Sequence, residues 1–132
     1  MKRKLKTRVL YLLLITACEP INNDHTYIYL HDLFLNNEQC LVYFYSEHCG
    51  HCISIKAEID NFQSYSKLPF YYLDVDENEI TFKPDQDKVI GVNNLEDFYI
   101  VGTPSLLEFK ESTVSNYYLG ESEILEYIRS AK

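Results

Sequence analysis

Runs of apolar residues separated by short polar stretches divide the chain into strands and helices. Cys40-Leu41-Val42-Tyr43-Phe44-Tyr45 is apolar or aromatic without a break, as expected of a central strand buried on both faces. Residues 26–30 predict a short strand before it, with a helical turn or two over 32–39. After a polar loop at 46–48, Ile53, Ile55, Ala57, Ile59 and Phe62 recur among polar residues. That spacing predicts a partly buried helix to about residue 66, although it fits a 3.6-residue period imperfectly. Residues 69–75 predict another strand. Residues 76–92 carry Pro84, Asp85 and Asp87 and predict a loop. Asn93 or Asn94 is placed to cap a helix running to Tyr99. Residues 105–110 and 113–119 predict an antiparallel hairpin turning at Glu111-Ser112. Residues 121–131 predict a final helix with Ile124, Leu125 and Ile128 on one face. No internal repeat, low-complexity tract or second domain interrupts this α/β order.

The N-terminus follows another pattern. Lys2, Arg3, Lys4, Lys6 and Arg8 precede an apolar run at 9–15, then Thr16, Ala17 and Cys18. This is the layout of a secretory signal peptide, too short for an ordinary transmembrane helix. Ile15-Thr16-Ala17-Cys18 also resembles a bacterial lipobox, in which the Cys is lipidated and becomes the new N-terminus. A secreted, unlipidated protein and an uncleaved anchor are the alternatives. The expected organisation is a leader at 1–17, lipidated Cys18 with a short tether to residue 25, and one domain at 26–132. Losing the leader leaves 115 residues, enough for a core. It also removes five of the 12 Lys and Arg against 20 Asp and Glu, shifting the formal charge from −8 to −13. Such a surface repels nucleic acid and anionic lipid. It keeps an exported chain soluble and would attract basic clients.

Four cysteines complete the inventory. With Cys18 assigned to lipid, an odd three remain, and Cys40 at the start of the central strand reads as a buried, inert thiol. Cys49-Gly50-His51-Cys52 opens the first predicted helix. The unpaired N–H groups and dipole of a helix start favour thiolate at Cys49, and Cys52 lies within reach to resolve a mixed disulfide. A structural disulfide across so short a loop would constrain the unfolded chain little. Zinc and iron–sulfur proteins also use Cys-x-x-Cys, so the spacing by itself leaves a metal open.

The strand, loop and helix start at residues 42–52 resemble the active-site segment of the thioredoxin superfamily. The Gly50-His51 dipeptide is the one found in protein disulfide isomerase domains. Tyr99-Ile100-Val101-Gly102-Thr103-Pro104-Ser105 resembles the family's cis-proline segment. The resemblance covers about residues 26–131. It implies a thioredoxin fold, a central mixed sheet flanked by helices. It also implies a thiol–disulfide oxidoreductase that needs no cofactor or metal. Cys49 would be the nucleophile and Cys52 the resolving thiol, and protonated His51 would stabilise the Cys49 thiolate and bias the pair towards an oxidant or isomerase. Thr103 and cis-Pro104 would receive an extended client.

Three positions depart from the family. Tyr43 stands where a buried carboxylate usually helps move the proton of the resolving Cys, leaving Glu47 as a substitute acting through water. His48 replaces a Trp, and Ala57 a common Pro. The expected protein is a monomer anchored by lipid outside the bacterial membrane, or secreted. It would act on thiols or disulfides of exported proteins or peptides and be recycled by an unidentified redox partner. Two other readings remain open: a non-enzymatic, chaperone-like lipoprotein, and a metal carrier using Cys49, Cys52, His48 and His51.

Overall fold

The computed structural model describes residues 25–35 and 37–131, so the leader and Cys18 lie outside the described residues. The apolar run forms strand β1 (Cys40–Tyr45), followed by helix α1 (Gly50–Tyr65) and strand β2 (Phe70–Asp74). Strands β3 (Ser105–Lys110) and β4 (Thr113–Leu119) make the hairpin, and helix α2 (Gly120–Ser130) follows. The sheet order is β2-β1-β3-β4; β1 runs parallel to β2 and antiparallel to β3. This is the mixed sheet of a thioredoxin fold. The hairpin turns at Glu111 and Ser112, both at positive φ (53° and 56°), as a two-residue turn matched to strand twist requires.

Alternation along β1 splits the core in two. Leu41 and Tyr43 face α1 and α2, packing with Ile55, Ile59, Phe62, Ile124 and Ile128. Cys40, Val42 and Phe44 face the other way, onto Leu73, Phe98, Ile100 and Phe109. The helix expected at 93–99 does not form, and irregular chain covers this second face. Asn94 Oδ1 caps a single turn by accepting from the Asp97 N–H at 2.9 Å. Phe98, Tyr99 and Ile100 are then buried in succession. One helix face cannot bury three consecutive side chains, and Ile100 instead bridges Phe82 in parallel fashion. The expected turns at 32–39 shrink to a 3-10 turn at Leu30–Asp32.

Both rims of the sheet are occupied. The expected strand at 26–30 is reduced to one parallel bridge, Tyr27 to Tyr72. Beside it, Ile28 N–H donates to Tyr72 O, and Tyr72 N–H to Thr26 O. At the β4 rim, Gly91 N–H donates to Val114 O, Val114 N–H to Val92 O, and Gln86 Nε2 to Tyr117 O at 3.0 Å. The long 76–92 loop thus finishes one side of the sheet.

Candidate active site

β1 ends beside the start of α1, and that junction sets the dithiol. Ser46 fixes the loop between them. Its Oγ donates to Asp76 Oδ2 at 2.6 Å and accepts from the His48 N–H, while its carbonyl accepts from the Cys49 N–H. Cys49 is the N-cap of α1, and its Sγ accepts the Cys52 N–H at 3.2 Å. Both thiols are free, as is Cys40. Cys49 is part exposed and Cys52 is buried.

Their surroundings drive the two thiols apart. Burial by itself would raise Cys49, but the Cys52 thiol, Thr103 and the N–H groups of Cys52 and His51 outweigh it and hold Cys49 below an ordinary thiol. Burial, reinforced by the hydrogen bond and charge of Cys49, pushes Cys52 up to about 11. Of the two, Cys49 is the thiol that ionises more readily, and Cys52 the one that holds its proton. Cys40 is pushed up to about 11, first by burial and then by Glu38 and Glu108, which suits an inert core position.

The second expected segment lies against the first. The Thr103–Pro104 peptide is cis, and the Cys49 thiol reaches Thr103 O at 3.5 Å. Sequence reasoning missed the groups that secure this loop. Tyr117 Oη accepts from the Val101 N–H at 2.8 Å and meets Ser105 Oγ at 2.7 Å. Ser105 also donates to Gly102 O at 2.5 Å. The Gly120 N–H ties down Pro104 O at 2.9 Å. For Ser105 the available signal was its place directly after Pro104, ahead of the apolar pair Leu106-Leu107.

The His51 ring is exposed and pairs with Glu121 at 3.1 Å, and the backbone N–H of His51 is among the groups that lower Cys49. Gly50 opens α1 with free space where a side chain would start. His48 and Glu47 are exposed. Among the described residues no group of three or more His, Cys, Asp or Glu is arranged to hold a metal ion. Tyr43 is buried behind the pair. Burial, then the Cys52 thiol, keep its hydroxyl neutral, and its Oη has no hydrogen-bond partner.

A dithiol split in this way at a helix start, facing a cis-proline loop, is the equipment of a thiol–disulfide oxidoreductase. The chain belongs to the thioredoxin family, whose family model matches residues 23–130. Solved structures with the same fold include mitochondrial thioredoxin 3 of Saccharomyces cerevisiae in its oxidized form. That match has 20% identity, covers 80% of this chain and 94% of that one, and has a TM-score of 0.51. Thioredoxin from Trypanosoma brucei brucei matches at 12% identity, with 85% and 93% covered and a TM-score of 0.55. Plasmodium falciparum thioredoxin matches at 23%, with 77% and 90% covered and a TM-score of 0.51. No curated protein sequence matches the chain.

Proposed function

We propose that this thiol–disulfide oxidoreductase works outside the cell membrane, held by a lipid on Cys18, as an oxidant or isomerase of exported proteins or peptides. The observation that carries the reading is the dithiol at the start of α1 facing the cis Thr103–Pro104 peptide. A Cys49 held below the ordinary thiol value favours the dithiol over the disulfide and supports the oxidising direction. The basic leader, the apolar run and Ile15-Thr16-Ala17-Cys18 support export and lipidation. Gly50-His51, as in protein disulfide isomerase domains, supports the same direction. Clients enter as extended chain against Thr103 and Pro104. The acidic surface opposes nucleic acid and favours basic clients, and occupied sheet rims support a monomer. A separate redox partner recycles the pair.

The deciding experiment is the reduction potential of Cys49–Cys52. The full chain carrying Cys18→Ser is equilibrated in graded glutathione buffers, alkylated and weighed. A value of about −120 to −180 mV supports the proposal. One near about −270 mV reverses the direction and makes the protein a reductant. Acylation of the wild-type chain in bacteria, lost in Cys18→Ser, tests the anchor.

A further inference from the structure

Resolving a mixed disulfide requires Cys52 to lose a proton, yet its environment holds that proton firmly. The carboxylate that could take it is replaced by Tyr43, a phenol that itself stays protonated. The structure offers another acceptor. A cavity of about 330 Å³ lies between α1 and the β1–β2 side of the sheet and reaches Cys52. Tyr43, Tyr72, Asp60 and His25 line it. β1 and β2 pair Tyr43 with Tyr72 in register, and their rings meet edge to face at 5.9 Å.

Asp60 sits at the centre of a small network. It accepts from Tyr72 Oη at 2.8 Å, from Lys56 Nζ at 2.6 Å, and pairs with His25 Nε2 at 3.2 Å. His25 stacks on Tyr72 with centroids 4.2 Å apart. This residue, read from the sequence as part of the tether, is therefore packed against the domain. Asp60 is a poor base. Burial would raise it, but the hydrogen bonds of Lys56 and Tyr72 prevail and hold it below the ordinary carboxylate range. In the neutral imidazole, the contact of Asp60 with Nε2 places the proton there and leaves Nδ1 as a lone-pair acceptor. His25 Nδ1 and Tyr43 Oη are the two buried side-chain polar atoms, among the described residues, without a partner. Both belong to residues lining this cavity, whose walls are mainly apolar but which is roomy enough to admit water and offers it polar partners in these residues, Ser46 and Asp60.

We propose that His25, oriented by Asp60, accepts the Cys52 proton through water in this cavity hydrogen-bonded to Tyr43. The inference rests on the oxidoreductase reading of Cys49 and Cys52. In the mixed disulfide, Cys52–SH gives its proton to the relay and His25 Nδ1 becomes protonated. The Cys52 sulfur bonds to Cys49, the Cys49–client bond breaks, and the client leaves as a thiolate carrying two electrons. The imidazolium then returns the proton to solvent through the open side of the cavity. His25 acts through water and Tyr43 rather than by touching sulfur, so it is a positioning and relay residue.

The test uses the reduced full chain with Cys18→Ser and a nitrobenzoate disulfide, whose coloured thiolate is released twice. Cys49 attack gives the first release and Cys52 resolution the second. In His25→Ala the first phase is unchanged, and the second slows by about 10²-fold at pH 7. Added imidazole restores the second phase in that variant and does nothing to the wild type. The wild-type second phase levels off with rising pH, whereas in His25→Ala it climbs beyond pH 9. The groups facing His25 are Asp60 and Lys56 from α1, Tyr72 from β2, Tyr43 and Tyr45 from β1, and Tyr27 on its own segment, with Glu47 at the same cavity. Histidine is the only side-chain type among them that ordinarily changes charge between pH 5 and 8. Tyr43→Phe, a milder change, slows the second phase alone. An unchanged second phase in His25→Ala, slowing without imidazole rescue, or slowing only in Glu47→Gln overturns the relay. Absence of both phases in the wild type overturns the oxidoreductase reading instead.

Discussion

Replacing Tyr117 by Phe removes one oxygen and keeps the ring. That oxygen accepts from the Val101 N–H at 2.8 Å and meets Ser105 Oγ at 2.7 Å. Ser105 retains Gly102 O as its acceptor, so Val101 is the group left without a partner. An orphaned donor in a half-buried position costs about 1–3 kcal/mol. The ring still fills its place, so a cavity adds little. The expected loss is about 2 kcal/mol. With a urea dependence of about 1–2 kcal/mol per molar for a chain this size, the unfolding midpoint falls by about 1–2 M. Val101 and Ser105 bracket Gly102, Thr103 and Pro104, so the same change loosens the loop that carries the cis peptide. KM for a disulfide-containing peptide should rise, while the alkylation rate of Cys49 at low pH stays the same. Tyr118→Phe is the control, because its ring stacks on Tyr127 at 4.3 Å and survives the change. A Tyr117→Phe midpoint no lower than that of the control would refute the claim that this hydroxyl secures the loop.

Other outcomes follow from the same geometry. Mass mapping of the reduced chain after brief iodoacetamide treatment at pH 7 should find Cys49 alkylated first, with Cys52 modified only at higher pH; equal labelling would remove the asymmetry. Folding stability of the reduced chain should fall as pH rises from 9 towards about 11. Buried Cys40 and Cys52 stay protonated in the folded state while the unfolded chain, ionising near 9, is stabilised. Urea midpoints measured across that range should drop less in Cys40→Ala than in the wild type. Gly120→Ala should destabilise by about 1–2 kcal/mol although its Cβ meets nothing within 4 Å, because φ there is +79°. A thermal midpoint equal to the wild type would show that the backbone relaxes there.

Particular residues show how far the sequence could be read. β1 was legible as an unbroken apolar run, the hairpin as two strand-forming runs about Glu111-Ser112, and α2 because Ile124, Leu125 and Ile128 fall on one face. Cys49 and Cys52 were legible from their spacing at a helix start, and Thr103 and Pro104 from the resemblance of residues 99–105 to the family's cis-proline segment. The expected helix at 93–99 was not, because the Asn cap is real but the next residues are claimed by long-range packing of Phe98 and a bridge from Ile100. The ring partner of His51, Glu121, was not legible because it lies 70 positions away. His25 and Asp60 gave no signal, since neither belongs to a motif. Only the pairing of residue 27 with residue 72 brings the tether end to the helix. Tyr43 was visible as a departure, but the cavity it opens was not.

The occupied rims of the sheet have a further consequence. An open strand edge is a template on which another chain, or another copy, can nucleate cross-β growth. Here residues 26–28 cap β2, and Gly91, Val92 and Gln86 stitch down β4. The segments at 26–28 and 86–92 act as selvedges on the two sides, leaving less bare edge for another chain to graft onto.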